Sequence, residues 1–164
     1  MKTLYLIGGT MGVGKTAVCQ EMYTMLRSSV FLDGDWCWNM HPFRVTEETK
    51  AMVMDNICTL LNNFLKCPAI ENVVFCWVMH EQGILDEICS RLAAQPCRIV
   101  AVSLTCTEAE LRSRLQKDID SGARTADILD RSAARLPLYE KLNTVKIDTT
   151  GKTVNSVACQ LARL

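Results

Sequence analysis

The run Gly9-Thr-Met-Gly-Val-Gly14-Lys15-Thr16 sets glycines ahead of a lysine and a hydroxyl residue. It fits G-x-x-x-x-G-K-[ST] and stands where that pattern belongs, between an apolar run at 3–7 and a helix-like pattern from 15. A polyphosphate needs many donors at short range. Backbone N–H groups along Gly9, Thr10, Met11, Gly12, Val13, Gly14, Lys15, Thr16 and Ala17 supply them only if no side chain intervenes. Glycine permits both the close approach and the unusual dihedrals. The following helix adds its unpaired N–H groups and the positive end of its dipole. Lys15 would then reach the β and γ phosphates, and Thr16 would place its hydroxyl on Mg²⁺. The alternative is a glycine-rich turn that only tightens a strand–helix connection; the complete motif in its required context argues against it.

Two further sets of residues carry chemistry. In "FLDGDWCW" at 31–38, Asp33 and Asp35 follow a short apolar run, where a carboxylate could take a proton from a hydroxyl or help hold Mg²⁺. An Asp-Gly-Asp turn bonding its own backbone is the plain reading. Trp36 and Trp38 come next and either wall a pocket by stacking on a ring or pack on a neighbouring helix. His80 and Glu81 follow the apolar run "NVVFCWVM", which contains no aspartate; Glu81 could equally be a helix-initiating acid. Arg112, Arg114, Arg124, Arg131 and Arg135 surround the polar segment 116–125. A cationic lid there would stabilise a transferring phosphoryl group and exclude water. Exposed ion pairs with Asp118, Asp127 and Asp130 are the other use for them.

Short apolar runs alternate with helical patterns and supply the frame for these residues. Strands are expected at 3–7, 30–33, 72–79, 97–105 and 144–149. Helices are expected at 15–27, from Thr46 through Phe64, around 84–92, from a Thr107–Glu110 capping box through Leu115, around 127–141, and from Val154 to Leu164. Val53, Ile57, Leu60, Leu61 and Phe64 mark one helix face, and Val154, Val157, Leu161 and Leu164 another. Segment 116–125 reads as a loop or an irregular helix end. A strand–helix alternation repeated about five times predicts an α/β fold with a parallel sheet and helices on both faces, in one domain over residues 1–164.

Composition narrows the function classes. Lys plus Arg and Asp plus Glu number 18 each, so no polyanion-binding or membrane-surface protein is indicated, and no nucleic-acid partner is expected. Nine cysteines occur without a C-x-x-C pair and with only two histidines, which gives zinc no support. They read as reduced, small core residues. The N-terminal apolar run is too short for a signal peptide, and no run reaches the length of a membrane span, so a soluble cytoplasmic protein is expected. The guanine-reading N-K-x-D is missing, which argues against a GTPase.

With these residues in view, the chain resembles the P-loop small-molecule and nucleotide kinases of the nucleoside-monophosphate-kinase type. That group includes gluconate and shikimate kinases, chloramphenicol phosphotransferase and small AAA-like kinases. "LIGGTMGVGKT" is specific to the superfamily, and "FLDGDWCW" is similar to the end of the second strand in gluconate kinases. "LTCTEAELRSRL" resembles the strand, cap and helix leading to the arginine-bearing lid; "KIDTTGKTVNSVA" resembles the last strand and loop beside adenine. The resemblance implies a three-layer P-loop NTPase fold with strand order 2-3-1-4-5 and a lid near 116–126. It implies Mg-ATP as phosphoryl donor and a small acceptor bearing a hydroxyl or a phosphate, in a monomer or homodimer. It favours Asp35 as base and metal-side acid, and Arg114 and Arg131 as lid arginines. Arg114, Thr149, Gly151 and Lys152 fall on the nucleotide side, and Asp33, Trp36, Trp38, His80, Arg124 and Arg131 on the acceptor side. A nucleotide-binding regulatory module with weak or no transfer activity is the competing class.

Overall fold

The computed structural model describes residues 1–92 and 96–164. Five parallel strands form one sheet in the order β2-β3-β1-β4-β5, the order implied by the resemblance. They are β1 (Lys2–Gly8), β2 (Ser29–Asp33), β3 (Asn72–Cys76), β4 (Cys97–Thr105) and β5 (Val145–Asp148). The helices are α1 (Lys15–Met25), α2 (Glu47–Lys66), α3 (Gln82–Arg91), α4 (Glu108–Asp120), α5 (Ile128–Arg135) and α6 (Val154–Leu161).

The period of two along β1 builds the layers. Tyr5 and Ile7 enter one core with Val18 and Met22 of α1, Leu111 of α4 and Val157 of α6. Leu4 and Leu6 enter the opposite core with Val53, Ile57 and Leu61 of α2 and Ile88 of α3. β3 does the same with Val74 and Cys76 on one side and Val73 and Phe75 on the other. A strand buried on both faces must be apolar along its buried part, and these two are from Leu4 to Gly8 and from Val73 to Cys76.

The helix termini explain their own sequences. Thr46 Oγ1 accepts from Thr49 N and Thr49 Oγ1 from Thr46 N, a reciprocal cap on α2. Thr107 caps α4, but Glu110 does not return the bond; its carboxylate pairs with Arg114, and Thr107 N donates to Thr150 Oγ1. Glu81 stands at the N-cap of α3 without a side-chain cap and contacts His80 instead.

Three expected boundaries shift. α4 continues through residues 116–120 because Leu111, Leu115 and Ile119 keep one apolar face and Gln116 bonds Asp120, so only 121–127 connects it to α5. The helix expected at 127–141 breaks after Arg135 into a 3-10 turn at Leu136–Lys141, since Pro137 has no N–H to continue the ladder. β3 stops at Cys76, short of residue 79, and Met79 takes φ 34°. On α6, Val154 is exposed while Val157, Ala158 and Leu161 are buried. The cysteines are unpaired thiols. Cys76 is buried beside Cys19, and their hydrogen bond together with burial pushes its thiol up, so it stays protonated. Among the described residues no helix is long and apolar enough to cross a membrane.

Candidate functional site

The carboxyl ends of parallel strands collect loops at one edge of the sheet, the usual place for a ligand in such folds. Here that edge holds the glycine loop after β1, the acidic turn after β2, the His80 segment after β3 and the Thr149 loop after β5.

The glycine loop is strongly determined. Gly14 adopts φ 99° at the N-cap of α1, and a Cβ there would project into open space. Gly12 has φ 83°, and a Cβ there would lie 2.5 Å from Leu115 Cδ2 of α4. Both positions therefore require glycine, one for backbone conformation and one also for close packing. The first turn of α1 holds no acid, whereas α2 begins with Glu47 and Glu48 and α4 with Glu108 and Glu110. Its free N–H groups and dipole are left for an external anion. Two N–H groups of the loop are already engaged: that of Gly9 donates to Val78 O and that of Val13 to Thr10 O, each at 3.3 Å.

Lys15 folds back so that Nζ donates to Thr10 O at 3.0 Å. Burial pulls its ammonium below the usual lysine range, opposed by Cys76, Asp35 and Asp33. A cation held in this way gains most when an anion arrives. Thr16 Oγ1 donates to Asp33 Oδ2 at 2.7 Å, while Asp33 Oδ1 accepts from Asp35 N at 3.0 Å. Asp33 is buried and fixed from both oxygens, and Asp35 is exposed at the cavity wall. The acid beside Thr16 is thus Asp33, not Asp35. Thr16 and Asp33 supply hard oxygen donors that suit Mg²⁺, an ion that usually takes one or two protein ligands and fills its shell with phosphates and water. Among the described residues no cluster of three His, Cys, Asp or Glu would hold a metal by itself.

A cavity of about 960 Å³ opens from Met11 and Lys15 past Asp35 and Trp38 to Trp77 and His80, with Arg124, Arg131 and Arg135 on its remaining side. Trp38 packs edge-on against Trp77 at 5.9 Å and Phe43 at 5.1 Å between ring centroids. Trp36 lies outside the lining; it is exposed and meets Phe31 edge-on at 5.3 Å. Sequence reasoning placed both tryptophans at the acceptor and missed Trp77, which sits in an apolar run that reads as core.

The arginines divide. Arg114 Nη1 donates to Val13 O and Thr149 Oγ1, each at 3.1 Å, and Nη2 to Thr149 O at 3.0 Å. Glu110 holds the other edge of the guanidinium at 2.8 Å. Arg114 therefore ties the glycine loop to the loop after β5 and does not line the cavity. Thr149 is buried with its hydroxyl also on Thr105 O, and Asp148 accepts from Thr150 N as a turn acid, which holds its carboxyl below the usual range. Gly151 and Lys152 are exposed in that turn. Arg124 pairs with Asp118 at 3.1 Å and Arg131 with Asp127 at 3.6 Å. Arg135 lines the cavity with no carboxylate partner among the described residues, and its Nη1 contacts Met11 Sδ at 3.2 Å. Helix spacing could have drawn attention to it, since Arg131 and Arg135 stand four residues apart on α5.

α5 is docked on the glycine loop. Thr10 Oγ1 donates to Ser132 O at 2.9 Å and lies 2.8 Å from Ser132 Oγ, which donates to Met11 O. Thr10 and Ser132 are both fully buried. This bridge fixes the helix that carries Arg131 and Arg135 against the loop that carries Lys15.

His80 follows β3 and lines the cavity. Its Nε2 contacts Glu81 Oε1 at 3.2 Å, and its buried Nδ1 has no partner among the described residues. Burial and then Arg135 pull the imidazole below its ordinary value. The unfolded chain, titrating near 6.5, binds more protons than the folded one in the window below that pH, so stability rises with pH there and falls as pH drops. His80→Gln is expected to flatten the dependence of urea midpoint on pH between about 5 and 7, measured at fixed ionic strength.

The comparisons with known proteins agree with this geometry. A gluconokinase from Sinorhizobium meliloti superposes with TM-score 0.72 at 16% identity, covering 98% of this chain and 90% of its own. The tunicamycin resistance protein of Deinococcus radiodurans gives TM-score 0.72 at 16% identity, with 99% and 95% covered. Shikimate kinase from Acinetobacter baumannii, solved with shikimate, gives 0.62 at 18% identity, with 99% and 92% covered. No curated protein sequence matches the chain. The AAA domain family matches residues 6–135, a span that runs from β1 through the glycine loop to Arg135 itself. The fold is that of the P-loop kinases, and the chain belongs to the AAA domain family.

Proposed function

We propose that the protein is an ATP-dependent phosphotransferase that moves the γ-phosphoryl group of Mg-ATP to a hydroxyl of a small acceptor. The observation that carries this reading is the shared cavity: Lys15, Asp35 and Arg135 line one space that runs from the glycine loop. A nucleotide-binding module would need the loop alone. A transferase also needs room for an acceptor and a carboxylate beside it, and the exposed Asp35 in the cavity wall supports that reading.

The triphosphate sits on the first turn of α1 with its γ-phosphoryl group beside Lys15 and Arg135. Thr16 and Asp33 would hold Mg²⁺, which would supply neutralisation of phosphate charge. The acceptor hydroxyl approaches in line. Its oxygen bonds to the γ-phosphorus, the bond to the β,γ-bridging oxygen breaks, ADP leaves, and the hydroxyl proton passes to Asp35. Charge that spreads over the equatorial oxygens meets Lys15 and Arg135. Asp33 is fixed by two hydrogen bonds and is poorly placed to move a proton, which separates its role from that of Asp35.

Arg114 acts through the loops it joins. Arg114→Ala releases Val13 O and the Thr149 loop together. Loss of hydrogen bonds to a charged group predicts Mg-ATP binding weaker by about tenfold or more, with a smaller change in kcat at saturation. Titration calorimetry and initial rates distinguish the two. The function itself is tested with γ-labelled ATP and a panel of small alcohols, sugar acids and nucleosides. Transfer of label to a discrete compound, abolished by Asp35→Asn, supports it; hydrolysis without transfer to any compound favours the module.

A further inference from the structure

Resting on the kinase reading, we infer that the acceptor is a neutral alcohol with an apolar, ring-bearing body, not a polyol or a sugar acid. The cavity that Asp35 lines is also walled by Trp38, Phe43, Val45, Met54, Trp77 and Ile84. Trp38 stands edge-on to both Phe43 and Trp77, with interplanar angles of 80° and 76°, so three rings meet at a corner. Such a corner offers ring faces and edges to another ring.

Several polar side chains of the chamber are already engaged, although the buried Nδ1 of His80 has no partner among the described residues. Lys50 pairs with Glu47 at 2.9 Å, His80 with Glu81 at 3.2 Å, and Glu87 with Arg91 at 3.8 Å. Asn39 is the one uncharged amide or hydroxyl side chain of the lining among the described residues. A polyol would exchange water for few partners here, and burying unpaired hydroxyls is unfavourable. A carboxylate would find no cation left for it, since on the kinase reading the unpaired Lys15 and Arg135 face the γ-phosphoryl group. At the mouth, Phe43 is 58% and Val45 54% exposed, apolar surface continuous with the chamber that an apolar body would cover. The volume of about 960 Å³ is at the upper end of the range that holds drug-sized ligands, which leaves room for the triphosphate tail as well.

Ligand-observed NMR titrations with naphthylethanol, tryptophol, gluconate and shikimate test this, with Mg²⁺ and a non-hydrolysable ATP analogue present. The expected result is saturable binding of the two aryl alcohols and none of the acids. Phe43→Ala removes an exposed side chain and is expected to weaken naphthylethanol binding about fivefold; Trp38→Ala weakens it further, and Trp38→Phe restores part of the loss. Tighter binding of gluconate or shikimate, no binding of either aryl alcohol, or aryl-alcohol binding indifferent to both alanine variants overturns the inference. Label from γ-labelled ATP is followed in parallel. Aryl alcohols that bind and never accept label refute the kinase reading and leave the pocket assignment standing. Label passing to a sugar acid refutes the acceptor class and leaves the kinase reading standing.

Discussion

Lys15→Ala is expected to lower kcat by roughly 10²–10³, the usual scale for removing one preorganised charge-stabilising donor. The same variant is expected to be at least as stable as the parent when no nucleotide is present. Burial opposes the charged form of Lys15, and its one hydrogen bond is to Thr10 O. The group's pKa is depressed in the folded state, so the unfolded chain binds the proton more readily and the empty loop holds the ammonium at a disadvantage. Stability gained on adding Mg-ATP should largely disappear in the variant, because a ligand that binds only the folded state stabilises in proportion to its affinity. Differential scanning measurements with and without Mg-ATP, beside initial rates, read all three effects. A variant that loses stability without nucleotide, yet keeps full turnover, would assign Lys15 to the scaffold.

Arg135→Ala is expected to reduce kcat by about 10²-fold or more, with Mg-ATP affinity changed little. Arg131→Ala and Arg124→Ala are expected to cost less than about tenfold, since both side chains are exposed and each is paired with a carboxylate. The contrast follows from partnering, not from position in the chain. Arg135 contacts Met11 of the glycine loop and faces His80, and the Thr10–Ser132 bridge holds its helix in place. Rates measured at saturating Mg-ATP for the three alanine variants test the order. A larger loss at Arg131 than at Arg135 would transfer the role to Arg131 and require its ion pair with Asp127 to open.

The contrast also shows what the sequence could reveal. The glycine loop was legible because its chemistry is local: six glycine, lysine and threonine positions within eight residues dictate the backbone and the charge together. Strands β1 and β3 were legible because burial on both faces leaves an uninterrupted apolar run. Strand order came from the resemblance, since periodicity says nothing of which strands are neighbours. The choice among arginines was not legible. Arg114 stands on the same helix as Arg112 and looks equally free in the sequence, but its partners Val13 and Thr149 lie 101 and 35 positions away.

The two aspartates and two tryptophans show the same limit at shorter range. Asp33 ends a strand and Asp35 enters a 3-10 turn, so their side chains diverge, one toward Thr16 and one onto the cavity wall. Trp36 and Trp38 share that turn and also separate, one onto Phe31 and one onto Trp77. Trp77 was hidden because an aromatic residue inside an apolar run reads as core packing. It is indeed 7% exposed, and it serves both the core and the cavity wall.

The most direct test of the central claim, that the glycine loop and the first turn of α1 grip the phosphates of ATP, is titration calorimetry of Mg-ATP into the parent protein and Lys15→Ala. The account predicts a one-to-one binding isotherm for the parent and little or no heat for the variant. No heat from the parent, or the same isotherm from both, would contradict it.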